Sequence, residues 1–394
     1  MTSTQIKELD AQFVMQTYGR FDLAIERGEG ARLFSPEGKE YIDFTSGLGV
    51  NGLGYGNKKW ADAVYEQALK LQHTSNLYYT EPYAKLAKIL TERTGMKNVF
   101  FSNSGAEANE GMIKLARKYS FQKYGRGRSK ILTLIQSFHG RTVTTLAATG
   151  QDSFHNYFFP FTEGFEHIPA NDFAALESAV TEDVCAVMIE LIQGEGGVLP
   201  LESDYVKSLE KLCSQKDLLL LIDEIQTGTG RTGTLFLSQQ YDVKADVLSF
   251  AKGIAGGLPM GGFMANERCS NVLRAGEHAS TFGGNPISAA AAVEVLNQIT
   301  EPLLTQVTEK GQYIRDCVTG WNISHTGPVR GIGLMLGIPV IDASPKDIAK
   351  TCTEKGLLIL TAGTDALRML PPLTITYDEL DKGLAILKNV LEML

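Results

Sequence analysis

The hydrophobic pattern along the chain changes period repeatedly, and each change predicts an element. Short, nearly unbroken apolar runs stand at Asn98–Ser102, Lys130–Leu134, Val184–Ile192, Leu218–Asp223 and Val247–Phe250. Runs of that length predict strands buried on both faces, hence a largely parallel sheet. Between them the period lengthens. Asp204–Lys216 sets Val206, Leu209, Leu212 and Cys213 on one helical face, with Lys207, Glu210 and Lys211 elsewhere. Glu107–Tyr124 predicts a second helix, with Met112, Leu115, Ala116 and Tyr119 on its apolar side. Strands alternating with helices predict βαβ units and a three-layer α/β/α fold. From about Ile287 the pattern turns helix-rich and closes on Tyr377–Leu394. Three parts are expected: an N-terminal arm (1–45) packed on the small domain, a large domain (46–286) and a small α+β C-terminal domain (287–394).

Composition narrows the partners. The 394 residues carry 37 basic and 45 acidic side chains, a net charge of −8, with no basic block. Neither nucleic acid nor an anionic membrane surface is expected as a partner. The start, MTSTQIKELD, lacks the apolar core of a signal peptide, and no run reaches a membrane span. Cys185, Cys213, Cys269, Cys317 and Cys352 are odd in number and never spaced C-x-x-C. They read as reduced thiols of a cytoplasmic protein, without a zinc site or disulfide frame.

Five stretches carry candidate chemistry, each at the end of an expected strand. In Ser102-Asn-Ser-Gly-Ala-Glu-Ala-Asn-Glu110, residues Ser104, Gly105 and Ala106 fall at a helix N-terminus, where unpaired N–H groups can cradle a phosphate. Ser137-Phe-His-Gly-Arg-Thr142 offers Phe138 and Arg141 to a cavity, the arginine as a fork for a carboxylate; His139 reads as structural. Glu190-Leu-Ile-Gln-Gly-Glu-Gly-Gly197 combines two carboxylates with glycines that are costly unless the backbone needs them. Asp223 ends one strand run, and Lys252 follows the next in Ser249-Phe-Ala-Lys-Gly. Both would emerge at the carboxyl edge of one sheet, where open α/β sheets bind ligands. A desolvated lysine becomes a nucleophilic amine, and a carboxylate can hold a heterocycle nitrogen protonated. Pyridoxal phosphate demands that pair. A sixth stretch, Gly228-Thr-Gly-Arg-Thr-Gly233, fits the dinucleotide fingerprint G-x-G-x-x-G, but no helical pattern follows it.

The stretches SNSGAEANEGMIKLARKY, FHGRT, QGEGG, LLIDEIQTGTGRTG, FAKGIAGG and STFGGNP, in this order and spacing, resemble the class III (subgroup II) pyridoxal-phosphate aminotransferases. The resemblance runs from about Tyr18 to the C-terminus. It implies a fold type I transferase using pyridoxal 5'-phosphate, and a homodimer with shared active sites. Lys252 would bind the cofactor covalently and shuttle a proton, and Asp223 would pair with the ring nitrogen. Gln226 would approach the phenolic oxygen, Phe138 stack on the ring, and Gly105 and Ala106 bind the phosphate with Thr281 of the partner subunit. Arg141 and Ser280 would hold the amino donor, while Glu195 and Arg368 would form a gate between donor and keto acid. FHGRT and STFGGNP are most similar to members acting on N2-acetylornithine, which implies amino transfer to 2-oxoglutarate, giving N-acetylglutamate 5-semialdehyde and glutamate, in arginine biosynthesis. Ornithine, succinylornithine and 4-aminobutyrate are the alternative donors. Outside the class stand an NAD-dependent dehydrogenase using the glycine loop and an inactive homologue serving as a binding module. Two positions depart from the family's pattern: Leu191 replaces a usual proline and Ala279 a common glycine.

Overall fold

A computed structural model describes residues 1–394. Seven strands form the central sheet: β1 (Asn98–Ser102), β2 (Lys130–Leu134), β3 (Phe165–Ile168), β4 (Val184–Ile189), β5 (Leu219–Asp223), β6 (Val247–Phe250) and β7 (Gly261–Ala265), in the order β1-β7-β6-β5-β4-β2-β3. Only β7 runs against its neighbours. Every residue of β4 and β5 is buried, as both-face coverage requires. Helix α1 (Gly105–Tyr124) and helix α2 (Ser203–Lys216) belong to the covering layers; α2 buries Tyr205, Val206, Leu209, Leu212 and Cys213. Each fully buried leucine or valine there contributes about 1.5–3 kcal/mol.

Several limits differ from the sequence pattern. The expected strand Val184–Ile192 stops at Ile189; Ile192–Gln193 pairs instead with Leu199–Pro200. Helix α1 begins at Gly105 rather than Glu107, because Ser104 caps it by accepting the Glu107 N–H at 3.2 Å. The last helix ends at Leu391.

Two further four-stranded sheets follow, and the terminal regions meet in the first of them. Arg27–Glu29, Arg32–Phe34 and Glu40–Asp43 form a meander whose last strand pairs in parallel with Leu357–Leu358. Arg330–Ile332, Met335–Pro339, Ala366–Met369 and Leu360–Ala362 form the other. Arg231, from the glycine loop, is buried and donates to the carbonyls of Leu334 and Pro371. That loop is a run of turns that opens no helix, so its glycines serve packing: a Cβ on Gly233 would lie 2.3 Å from Thr308. One buried cluster of 69 residues runs from Ala31 through the sheet to Leu391. No helix is long and apolar enough to cross a membrane.

Candidate active site

Five chain segments converge on the carboxyl edge of the central sheet because the parallel strands all end there. Register puts Asp223 opposite Ser249 and Ile222 opposite Ile189, so Glu190 leaves β4 beside Asp223, and Lys252 follows β6. A cavity of about 450 Å³ opens over this edge, lined by Ser104, Gly105, Ala106, Phe138, Arg141, Glu190, Asp223, Gln226 and Lys252 among others.

Asp223 is 4% exposed and accepts three hydrogen bonds, which leaves one acceptor site on Oδ1 free. Its Oδ2 accepts from Asn109 Nδ2 at 2.8 Å and lies 2.8 Å from His139 Nδ1; its Oδ1 accepts the Ile225 N–H at 3.0 Å. A carboxylate only accepts, so His139 Nδ1 carries the proton. Asn109 Nδ2 also donates to the His139 carbonyl at 2.8 Å. Asn109 and His139 are thus the supports of Asp223. The sequence reading took His139 as structural and did not single out Asn109, which lies one helical turn inside α1 and looks like any polar helix residue until the fold brings it to the strand end.

Lys252 has φ 45°, left-handed backbone that a lysine adopts at a cost of about 1–3 kcal/mol. Burial pushes its amine below the usual lysine range; the Glu195 carboxylate pulls it back up, and Arg368 lowers it further. An amine so placed gives up its proton more readily than a solvated one.

Phe138 meets Phe154 edge-on at 5.8 Å between ring centroids, and the exposed Arg141 guanidinium lies 4.6 Å from the Phe154 ring. Arg141 pairs with no carboxylate of the chain, which leaves its fork open toward a ligand. Gly140 has φ 140°, and a Cβ there would sit 2.5 Å from Thr145 Oγ1, so the turn that presents Phe138 and Arg141 requires glycine.

Arg368 and Glu195 form a two-pronged ion pair, Nη1 to Oε1 at 2.6 Å and Nη2 to Oε2 at 3.2 Å, with Arg368 only 2% exposed. Burial raises the Glu195 carboxyl most, but Arg368, Lys252 and Gln226 together hold it below its ordinary value. Arg368 Nη1 also donates to the Gly194 carbonyl at 3.1 Å and to Gln226 Oε1 at 3.2 Å. Gln226 therefore joins this pair to the cavity that it lines with Lys252. Glu190 is a further carboxyl that the sequence reading left without a role. It accepts from the Phe138 N–H at 2.9 Å and the Gly194 N–H at 3.4 Å, and burial pushes it up to about 7, with Asp223 adding and His139 opposing.

Ser280 and Thr281 lie apart from this cavity within one chain. Ser280 Oγ accepts from Asn103 Nδ2 at 3.1 Å and from the Gly283 N–H at 2.9 Å, while Thr281 is exposed and lines a separate hollow with His73, Asn76 and Tyr78. Leu191 is wholly buried, and Ala279 is exposed beside Ser280.

The residues fit pyridoxal phosphate. The first N–H groups of α1 have no intrahelical partner and lie at the cavity wall, where a Cβ on Gly105 would collide with Ile225 at 2.8 Å. Asp223 supplies a buried anion for a ring nitrogen, Phe138 an aromatic face, and Lys252 an amine. Four buried polar atoms around the edge lack any partner: Asn109 Oδ1, His139 Nε2, Ser249 Oγ and Arg368 Nε. Such unpaired groups gather where a protein handles ligands.

Known proteins resemble the chain over its whole length. The family model for class-III aminotransferases matches residues 13–391. The acetylornithine aminotransferase of Haemophilus ducreyi is 50% identical over 99% of both chains. The crystal structure of N-acetylornithine aminotransferase from Stenotrophomonas maltophilia is 37% identical, with a TM-score of 0.85 over 98% of both chains. An ornithine aminotransferase from Toxoplasma gondii, with pyridoxal phosphate at partial occupancy in its active site, is 32% identical, with a TM-score of 0.94 over 99% of this chain and 94% of that one. Sheet topology, a lysine and a carboxylate at neighbouring strand ends, and full-length likeness agree, and the chain belongs to the class-III aminotransferases, enzymes that depend on pyridoxal phosphate.

Proposed function

We propose that the protein transfers the distal amino group of N2-acetylornithine to 2-oxoglutarate, giving N-acetylglutamate 5-semialdehyde and glutamate. The observation that carries this reading is the 50% identity, over nearly the whole chain, to an acetylornithine aminotransferase. Shape does not separate the donors, since an ornithine aminotransferase superposes with the higher TM-score, 0.94 against 0.85; sequence does, at 32% against 37%. Initial rates with acetylornithine, succinylornithine, ornithine and 4-aminobutyrate, each with 2-oxoglutarate, test it. Acetylornithine should have the highest kcat/KM, and a higher value for free ornithine would overturn the donor assignment.

In this reading each residue at the sheet edge has a role. Gly105 and Ala106 would hold the phosphate through backbone N–H groups, Asp223 would keep the ring nitrogen protonated, Phe138 would cover the ring and Gln226 would bind its phenolic oxygen. Bound pyridoxal phosphate supplies the electron sink that makes a C–H bond next to the amino group acidic. Lys252 Nζ holds the cofactor at rest, and its free amine then takes and returns the proton at the reacting carbon. Arg141 binds the donor's carboxylate, and Ser280, which lies outside the cavity of its own chain, joins it from across the subunit interface beside Thr281. Glu195 neutralises Arg368 while the long amine is bound, then yields it to the α-carboxylate of the keto acid, one charge-assisted pair replacing another. A division into an arm (1–45), a cofactor domain (46–286) and a small domain (287–394) suits a site built at one sheet edge and completed by Arg368.

This gate makes the two half-reactions unequal in their needs. Arg368→Ala should slow the half-reaction with glutamate far more than that with acetylornithine. Glu195→Ala should speed glutamate relative to the long donor by removing the competing anion. Single-turnover absorbance changes for each half measure both, and equal effects on both halves would leave only a static ion pair.

The active enzyme is a homodimer in this reading, with Thr281 serving the partner's phosphate site. Support comes from the surface around it: Leu77 and Phe282 are 86% and 59% exposed, and Asn76 ties their segments together by donating to the Gly283 carbonyl at 2.8 Å. Large exposed apolar side chains so placed favour an interface there. Mixing Lys252→Ala subunits with Thr281→Ala subunits should restore activity, since one of the two sites in a mixed dimer then carries neither change. No recovery, with exchange of subunits verified, would contradict shared sites.

A further inference from the structure

We propose that Glu190 is a positioning residue that ties the substrate gate to the aromatic cover of the site. The inference rests on geometry at one carboxyl group. Glu190 follows β4, is 5% exposed, and lines the cavity, yet both of its oxygens are turned to backbone. Oε2 accepts from the N–H of Phe138, the residue that presents its ring to the cavity, at 2.9 Å. Oε1 accepts from the N–H of Gly194 at 3.4 Å. Gly194 is also held from its other end, where its carbonyl accepts from Arg368 Nη1 at 3.1 Å. A single residue thus lies between the Glu190 carboxylate and the gate arginine, and Glu195 is the next residue along.

The glycine at that point is needed for closeness. A Cβ on Gly194 would come within 2.5 Å of Gln226 Oε1, the atom that itself accepts from Arg368. The turn is therefore pressed against Gln226 on one side and anchored to Glu190 on the other. When Arg368 leaves Glu195, it must also release or rearrange around the Gly194 carbonyl. Glu190 fixes the far end of that residue, so the turn pivots about the Glu190 bond. The same bond sets the position of the gate relative to Phe138. Glu190 touches no bond that changes in the reaction; its influence passes through Gly194 and Phe138.

Glu190→Gln isolates this function. The side-chain amide keeps the shape but has one acceptor and one donor end. The shorter bond, to Phe138, retains the oxygen, and the NH₂ group then faces the Gly194 N–H, donor against donor. Hydrogen exchange of the segment 190–200 should become faster in this variant, with or without cofactor, while β5 and β6 keep their protection. In the loaded enzyme, the ratio of the glutamate to the acetylornithine single-turnover rate should rise ~2–10-fold, the range set by the net value of one hydrogen bond. Glu190→Asp, whose shorter chain cannot span both N–H groups, provides a second variant with the same expected direction.

Unchanged exchange in 190–200 would overturn the proposal, because the bond would then not hold the turn. An equal fall in both half-reactions, or faster exchange across the whole sheet, would also overturn it, leaving Glu190 a general structural residue. The kinetic arm rests on the gate reading above, so Glu195→Ala is measured alongside. If Glu195→Ala too leaves the ratio unmoved, the gate reading fails, and the exchange arm alone decides whether Glu190 positions the turn.

Discussion

Lys252→Ala should lose turnover by several orders of magnitude while keeping the ability to bind pyridoxal phosphate. Proton transfer by a positioned side chain is worth roughly 10²–10⁴-fold, and in the proposed mechanism this amine also holds the cofactor. Binding survives because the helix N-terminus at Gly105 and Ala106, Asp223 and Phe138 are untouched. The strained backbone is retained as well, since alanine at φ 45° is no easier than lysine. Stability should therefore change little. Removing a half-buried amine next to the Glu195–Arg368 pair takes away one interaction that favours Glu195 ionisation, but Arg368 remains the dominant one. A small primary amine added to the variant should restore part of the rate, because it can occupy the space left by the side chain. Rate and cofactor content after dialysis check both halves of the expectation. Wild-type turnover in this variant would remove Lys252 from the chemistry.

Asp223→Asn should have the next largest effect, and for two separable reasons. Chemistry suffers because the amide carries no negative charge to hold a proton on the ring nitrogen, which weakens the electron sink. Folding suffers because three donors, from Asn109, His139 and the Ile225 N–H, surround an acceptor-only carboxylate. An amide offers one acceptor end, so in either orientation at least one buried donor meets another donor. That costs about 1–3 kcal/mol. The expected result is a strong fall in kcat, a lowered Tm and largely retained cofactor. Asn109→Ala should lower stability less, and kcat less, since Asp223 keeps its charge and two of its three partners. An Asp223→Asn enzyme with wild-type kcat would show that this carboxylate does not face the ring.

How far the sequence could be read depends on what each element buries. The strands Asn98–Ser102, Lys130–Leu134 and Val247–Phe250 coincide with β1, β2 and β6 because continuous apolar runs leave little choice of period. Two strands of the central sheet escaped. Phe165–Ile168 is an edge strand whose Glu166 and His167 break the apolar run, and it is mostly half-buried. Gly261–Ala265 opens with two glycines that read as a loop. The fold requires them, since a Cβ on Gly262 would lie 2.7 Å from the Phe250 ring and one on Gly261 only 2.4 Å from the Ser104 carbonyl. At the site, charged and glycine-rich strand ends were legible because such residues are costly without a use. Asn109, which supports Asp223 from within a helix, and Glu190, which binds only backbone, depend on approaches between segments far apart in the chain. Periodicity carries no trace of those.

Attachment of the cofactor at Lys252 is the central expectation for this site. Borohydride reduction of the purified enzyme loaded with pyridoxal phosphate, followed by proteolysis and mass spectrometry, tests this most directly. A single pyridoxyl group should be found per chain, on Lys252 in the segment Ser249–Gly253, with loss of the visible absorbance of the bound cofactor. Reduction that modifies a different lysine, or leaves Lys252 free in enzyme shown to be loaded and active, would contradict the site described here.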